Sequence, residues 1–447
     1  MREKYLLTPA KIIMGGFFLQ ILAGTLLLLL PCATVQGTPA PLLDALFTAT
    51  SATCVTGLVV RDTATFWSPF GHGVILLLIQ IGGLGVATIG VIISVAVGRR
   101  IGLKERFVMQ EAVSVQQTGG IVRFARFIAR GALAVELAGT ALLAFRFCPL
   151  YGLGRGLWLS LFHSVSAFCN AGFDLMGTVQ QPYASLTGYG GDALVNLTVG
   201  GLIVVGGLGF FVWDDLFSQK LKFRAYELQT KVVLTATLLL IAVPTLFFYA
   251  AEFGLPAWSA MTAKEKWLAS LFQAISPRTA GFNTVDLSLM QGPSLMLVGI
   301  LMVIGGSPGS TAGGVKTTTA ALLVLCVRST FKRLHSVECY DRRVESDVIL
   351  SAVSVLFTAL FLVLAGALAI AFSDGVPLYA ALFEAASAVG TVGLSLGLTP
   401  QLGAFSRLIL ILLMYFGRAG FLTLIYTLAN GQIAPPSQFP LGKITLG

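Results

Sequence analysis

Four short stretches of this 447-residue chain share one frame: LFTATSATCVTGL from Leu46, LFHSVSAFCNAGF from Leu161, LFQAISPRTAGF from Leu271 and LFEAASAVGTVGL from Leu382. Each reads Leu-Phe, three residues, Ser, a variable stretch, then Gly followed by Leu or Phe. The chemistry they offer lies in the backbone. Rings of carbonyl oxygens replace the water shell of a dehydrated monovalent cation such as K⁺ without any fixed charge. Glycine lets the chain turn those carbonyls toward a common axis. The candidate ion-binding sets are therefore Val55, Thr56 and Gly57; Asn170, Ala171 and Gly172; Thr279, Ala280 and Gly281; and Thr391, Val392 and Gly393. No carboxylate stands at or just before these glycines, which argues against a divalent-cation filter built on an acidic ring. Asp174 and Asp286 follow a little later, at the expected outer mouth, where they would concentrate cations. Arg278, three residues before Gly281, would repel a cation. It is expected to point behind the loop and hold backbone carbonyls or an acid.

Two departures from the frame read as control elements. The third copy continues into GGSPGSTAGGVKTTT, and the candidate gating residues there are Gly305, Gly306, Ser307, Pro308, Gly309, Ser310, Thr311, Ala312, Gly313, Gly314 and Lys316. Proline and five glycines weaken a helix at mid-depth, which leaves a passive kink or a mobile gate. A phosphate-binding loop is rejected, because GxxxxGK[ST] needs Lys directly after Gly and here Val315 intervenes. The other departure is Arg418, set in the apolar run LILILLMYFGRAGFLTLIY. A charge at that depth usually lines a bundle interior or a water path. Beneath the loops it would hinder ions leaving inward, and it is expected to bond carbonyls of the glycine-rich loop. Glu384 aligns with Thr48, His163 and Gln273, an interior hydrogen-bonding position. The six cysteines and the histidines show no metal-ligand spacing.

The elements that must position these residues are membrane helices. The chain is 56% hydrophobic and 11% charged, against about 25% charge in soluble proteins. Runs such as Ile12–Leu30, Gly73–Val97, Leu194–Phe217, Val232–Ala250, Val348–Phe372 and Arg407–Leu428 each match the roughly 20 helical residues that cross a bilayer. The frame glycines are separated by 115, 109 and 112 residues, so the chain reads as four repeats: 1–110, 111–225, 226–340 (with the gating loop 305–319) and 341–447. A second glycine motif recurs at Gly82–Gly85, Gly206–Gly209, Gly305–Gly309 and Gly417–Gly420. The second repeat holds an insertion around Gln180–Gly191. Each repeat predicts a spanning helix, a short apolar stretch too short to span, the small-residue loop, and a second spanning helix. Irregular backbone at membrane depth must face protein or water, and one shared pore satisfies all four loops. The predicted fold is an all-α polytopic membrane protein with four helix–pore-loop–helix repeats around one pore, a K⁺-channel-like pseudo-tetramer with eight spanning helices. Most of the 29 Lys and Arg fall at the start, in 99–130, 220–231 and 316–343, and at Lys443. By the positive-inside rule these segments and both termini face the cytoplasm.

The motifs TCVTGL, RTAGFNT, GSTAGGVKTTT and GRAGFLT resemble the Trk/Ktr/HKT superfamily of K⁺ transporters, over nearly the whole chain. A single spanning helix before the first loop makes it most similar to KtrB membrane subunits. The resemblance implies K⁺ uptake at the bacterial (inner) membrane, a homodimer, and a cytosolic nucleotide-binding regulatory subunit of the KtrA type. It also implies an intramembrane gate at the glycine-rich loop. The transported K⁺, with Na⁺ as a further activator, is the expected ion; no organic cofactor, nucleic acid or catalysis is expected. The string GTVGLS also resembles the TVGYG filter of K⁺ channels without its aromatic residue and second glycine, which predicts a less rigidly built selectivity. A less selective K⁺/Na⁺ transporter is one alternative. An ion-coupled secondary transporter of a small solute is another, but it predicts two related halves and intramembrane acids rather than four similar quarters.

Overall fold

The first helix of every repeat is long and apolar enough to cross a bilayer. In the computed structural model, which describes residues 9–85, 88–90, 120–220, 222–334 and 336–428, these are α1 (Pro9–Leu28), α4 (Ile121–Tyr151), α8 (Leu228–Phe247) and α12 (Ser346–Asp374). The basic cluster at 99–106 and the tail Asn430–Gly447 lie outside the described residues, as do both termini. Our labels for the other helices are α2 (Leu42–Thr53), α3 (Pro69–Leu84), α5 (Leu153–Phe168), α6 (Ala193–Gly207), α7 (Phe210–Gln219), α9 (Ala263–Ile275), α10 (Gly292–Val303), α11 (Thr317–Phe331), α13 (Leu378–Gly390), α14 (Ala404–Ala419) and α15 (Phe421–Leu428). One two-stranded hairpin pairs Glu338 with Arg343 and Cys339 with Arg342.

The short apolar stretches form helices α2, α5, α9 and α13, of 12, 16, 13 and 13 residues. Each is too short to cross the roughly 30 Å hydrocarbon core. Local chemistry sets their starts. Thr262 and Glu265 close a capping box at the head of α9, with the Thr262 N–H donating to the Glu265 carboxylate at 2.7 Å. Capping satisfies backbone donors that the first turn leaves unpaired.

The closing segments depart from expectation. Uninterrupted spans are predicted in repeats 1, 2 and 4, yet the helix stops at the second glycine motif in each. Gly85, Gly209 and Gly420 hold φ of 86°, 95° and 92°. That conformation ends a right-handed helix. In repeat 2 the two halves, α6 and α7, meet at 94°. In repeat 3, where the break is expected, the loop from Ile304 to Lys316 separates α10 from α11. Among the described residues, four helices are continuous spans, five if the bent pair α6–α7 counts as one.

Two apolar clusters flank the centre. One gathers mostly repeats 1 and 2 (Ile75, Phe147, Phe162, Phe168) and the other mostly repeats 3 and 4 (Phe253, Met302, Ile370, Phe383). A charged tie joins the first and last repeats at the N-terminal ends of α2 and α14. Asp44, buried at the start of α2, accepts from Arg61 Nε at 2.7 Å and from Arg407 Nη1 at 2.9 Å. Arg407 also donates to the carbonyls of Leu402 and Pro400. Removing one member of such a pair strands the other charge. Arg61 is half-exposed and Arg407 partly exposed, so Asp44→Ala is expected to lower unfolding stability by about 1–2 kcal/mol, read as a lower thermal midpoint in detergent. An unchanged midpoint would mean the tie adds nothing.

Candidate functional site

Helices α2, α5, α9 and α13 deliver their C-terminal ends to four loops, numbered 1 to 4 after their repeats. In every loop the residue two before the glycine is left-handed: Val55 (φ 56°), Asn170 (59°), Thr279 (65°) and Thr391 (49°). The glycines follow at 89°, 69°, 78° and 93°. The residue between them is not left-handed, so the handedness alternates, which turns successive carbonyls to the same side. Positive φ in a β-branched residue is strained. Three of these four residues are Val or Thr, and such strain persists only where surrounding structure enforces it.

The frame serine supplies that enforcement, and sequence reasoning gave it no role. Ser51 Oγ accepts from the Gly57 N–H at 3.1 Å, and Ser387 Oγ from the Gly393 N–H at 3.0 Å. Ser166 and Ser276 instead donate to the carbonyls of Phe173 (2.7 Å) and Phe282 (2.5 Å), one residue beyond the glycine. The serine backbone carbonyl also accepts from the N–H before the glycine: Thr56 to Ser51 and Val392 to Ser387 at 2.8 Å, Ala171 to Ser166 at 2.7 Å, Ala280 to Ser276 at 3.0 Å.

The four loops meet one another in cyclic order. A Cβ placed on Gly57 would lie 2.5 Å from the carbonyl oxygen of Ala171, and one on Gly172 would lie 2.7 Å from that of Ala280. A Cβ on Gly281 would overlap the carbonyl of Val392, and one on Gly393 that of Thr56. Each glycine thus faces the carbonyl just before the next loop's glycine, 1 to 2 to 3 to 4 and back to 1. The twelve residues singled out from sequence come together in this ring. Asn170 adds a side-chain link between loops 2 and 3. Its amide nitrogen donates to the carbonyls of Ala167 and Ile203, and its oxygen accepts from Thr279 Oγ1 at 3.3 Å.

The second glycine motif has a packing reason. A Cβ on Gly82, Gly206 or Gly417 would overlap the carbonyl of Thr53, Phe168 or Val389. These glycines let the closing helix abut the last turn of the short helix. In repeat 3, Gly305 packs instead against the Gly313 carbonyl of its own loop.

Loop 305–316 is tied to the other repeats. The N–H groups of Ser307 and Thr311 donate to the carbonyls of Gly207 (2.9 Å) and Gly206 (3.3 Å), and the Phe210 N–H donates to Gly309 O at 2.9 Å. Thr311 Oγ1 donates to Phe168 O at 3.0 Å. Arg418 donates to the carbonyl of Thr311 and to those of Gly82 and Gly83, so one guanidinium bridges the loop and repeat 1. The hydrogen bond expected from Arg418 to a carbonyl of this loop is present. Lys316 Nζ donates to Ala312 O at 2.8 Å within the loop. Arg418, Lys316, Ser310 and Gly314 border a cavity of about 250 Å³.

On the other side of the ring, a cavity of about 770 Å³ is lined by all four glycines and by Asp62, Asp174 and Asp286. Asp62 was missed from sequence; its carboxylate caps the turn Thr63–Phe66 through the Thr65 N–H, and the pattern D-T-x-T was its signal. Loss of hydration in the cavity wall pushes the Asp174 carboxyl up to about 7, against the Met176 N–H bond that favours the carboxylate and with Asp62 adding to the rise. Arg278 differs from expectation. It lies behind the ring, but its side chain reaches the Thr237 hydroxyl at 3.5 Å, rather than a backbone carbonyl or an acid, and its Nε has no partner.

A family model described as TrkH, a cation transport protein, matches residues 17–433. The Ktr system potassium uptake protein B of Bacillus subtilis (strain 168) is 38% identical over 441 residues, covering 98% of this chain and 97% of that protein. The potassium/sodium uptake protein NtpJ of Enterococcus hirae is 37% identical over 432 residues, 96% of this chain and 94% of that protein. The crystal structure of the potassium transporter TrkH from Vibrio parahaemolyticus shares the fold, with a TM-score of 0.75 at 18% identity, over 96% of this chain and 86% of that one.

Proposed function

We propose that this chain, which belongs to the TrkH family of cation transport proteins, takes up K⁺ through the ring formed by its four glycine loops. The observation that carries this reading is the cyclic meeting of Gly57, Gly172, Gly281 and Gly393, each against a carbonyl of the next loop. Such a ring presents backbone oxygens where a cation sheds its water. The short helices aim their C-termini, each carrying about half a negative charge, toward it. On this reading the chain makes the eight crossings expected from its sequence around this axis. The basic segments after the second glycine motifs support a reading with the Arg418 side in the cytoplasm and the Asp174 side outside.

Uptake then runs in three stages. Asp62, Asp174 and Asp286 concentrate cations in the outer cavity. Carbonyls of the ring replace the water shell. Loop 305–316 and Arg418 bar the inward exit until the ties to Gly206, Gly207, Phe210 and Phe168 are released. A homodimer and a cytosolic nucleotide-binding regulatory subunit would supply that release, a reading supported by the family resemblance and by the relative named as part of a Ktr system. A second reading, K⁺ with appreciable Na⁺, is favoured by the relative named for both ions and by loop 3 being one residue shorter between its serine and glycine.

Expression in cells lacking their own K⁺ uptake systems tests the reading. Growth at low K⁺ should be restored; failure despite membrane expression, also with Gly309–Gly314 deleted, would refute it. Asp174→Asn should raise the K⁺ concentration for half-maximal uptake two- to threefold at low ionic strength, roughly the effect of one charge near a Debye length. The sign of the pH effect follows from the raised carboxyl. The charged form is present above about 7, so uptake at subsaturating K⁺ should fall as pH drops from 8 to 6. The Asn variant should be flat across that range.

A further inference from the structure

Beyond its glycine, each loop must hold the outer half of its backbone in place, and the four repeats do this differently. In repeat 4, Glu384 on α13 sits behind the loop. Its Oε1 accepts from Ser395 Oγ (2.5 Å) and from the Leu396 N–H (3.3 Å), and its Oε2 accepts from Thr399 Oγ1 (2.5 Å). In repeat 2 the residue at the same place in the frame is His163. Its Nε2 accepts from the Leu175 N–H at 3.4 Å while Nδ1 donates to Leu159 O at 2.7 Å, so the ring is neutral with its proton on Nδ1. Leu175 and Leu396 both stand three residues after their glycines.

Repeats 1 and 3 lack this brace. Among the described residues, neither Thr48 nor Gln273, at the equivalent positions, bonds its loop, and the buried Gln273 has both amide atoms without a partner. Loops 1 and 3 are held from the mouth side instead, by the insertion of repeat 2. Tyr183 Oη donates to Val60 O at 3.4 Å, three residues after Gly57, and the Tyr183 N–H donates to Asp62 at 2.8 Å. Ser185 Oγ accepts from the Asn283 N–H at 3.0 Å, and the Leu186 N–H donates to Asn283 O at 2.9 Å, two residues after Gly281. Tyr183 and Ser185 are themselves left-handed, with φ of 59° and 49°. Backbone strain of this kind gathers where geometry has a task. Loops 1 and 3 are the two neighbours of loop 2 in the ring, within reach of its insertion. Loop 4 lies opposite.

We propose that Glu384, His163 and the strap Tyr183–Leu186 are positioning elements that set the K⁺-over-Na⁺ preference, by fixing the outer carbonyls of all four loops. The inference rests on the ring being the ion path. A ring that can contract loses its preference for the larger ion, because selectivity depends on the number and spacing of carbonyls that remain available.

The test is initial uptake of K⁺ and of Na⁺ into liposomes holding the purified full chain. Glu384→Ala and Ser185→Ala should each lower the K⁺/Na⁺ uptake ratio about tenfold, comparable to losing one or two net hydrogen bonds, while Na⁺ uptake persists. Glu384→Gln keeps acceptors for Ser395 and Leu396 and a donor for Thr399, and should restore the ratio to within threefold of wild type. Gln273→Leu, at the equivalent but unbonded position, should leave it within twofold. If Glu384→Ala does not survive solubilisation, Thr399→Val and Ser395→Ala, each removing one donor, should lower the ratio about threefold. A wild-type ratio in the Glu384 and Ser185 variants would overturn the positioning role while leaving the ion path standing. A chain that carries no K⁺ even with Gly309–Gly314 deleted would remove the path itself, and this inference with it.

Discussion

Gly281→Ala is expected to reduce K⁺ uptake at least thirtyfold without loss of expression. The added methyl meets both neighbouring loops, 2 and 4, at once. It would overlap the Val392 carbonyl and crowd the α-carbons of Gly172 and Gly393. The backbone there holds φ 78°, where a Cβ costs about 1–2 kcal/mol. Overpacking adds about 1–3 kcal/mol. At 1.4 kcal/mol per tenfold, the sum spans roughly thirtyfold to a few thousandfold if it is expressed as distortion of the ring. The control is Gly299→Ala, on α10, where a Cβ meets nothing within 4 Å; it should transport as wild type. Uptake by Gly281→Ala within threefold of wild type would show that the ring is not the path.

The second large effect has the opposite sign. Arg418→Ala should raise K⁺ flux about tenfold, and deletion of Gly309–Gly314 should do the same. Arg418 ties Thr311 of the loop to Gly82 and Gly83 of repeat 1. Holding that charge at membrane depth costs roughly 2.5–3.5 kcal/mol on insertion scales. Alanine removes both the positive charge that opposes an emerging cation and the bond that holds the loop across its exit. If the tie is the barrier, the two changes overlap, and Arg418→Ala in the deleted chain should add little further flux. Lower flux in either single variant would make the loop and Arg418 parts of the conduction path rather than its gate.

The sequence made the frame legible because repetition is visible without any knowledge of distance. Gly57, Gly172, Gly281 and Gly393 stand in one register, and the structure brings all four together. Their partners were harder to see. The frame serine was noticed as a letter but not as a hydrogen-bonding group, because its task divides: Ser51 and Ser387 accept from the glycine N–H, whereas Ser166 and Ser276 donate one residue further on. No spacing rule separates those two geometries.

The helix breaks show a different limit. GGLG in repeats 1 and 2 lies within runs that read as continuous spans, and Pro308 with five glycines marks repeat 3 as broken. Gly85, Gly209 and Gly420 break their helices as well, because the closing helix must abut the end of the short helix and then change course. That requirement arises from packing between distant segments. Arg278 failed for the same reason. Its direction, behind the ring, follows from charge alone, but its partner depends on Thr237, 41 residues earlier. The insertion in repeat 2 was located by counting. Its reach to Val60 and Asn283 was not, since nothing in its composition names its neighbours.

The central claim is that one dehydrated K⁺ sits among the carbonyls of four loops from a single chain. Anomalous diffraction from crystals of the full chain grown in Tl⁺, a K⁺ mimic with strong anomalous signal, tests it most directly. The account predicts a peak on the axis enclosed by the carbonyls of Thr56, Ala171, Ala280 and Val392, lost when Tl⁺ is replaced by Na⁺. A strong peak elsewhere between the helices, with none inside that ring, would contradict it.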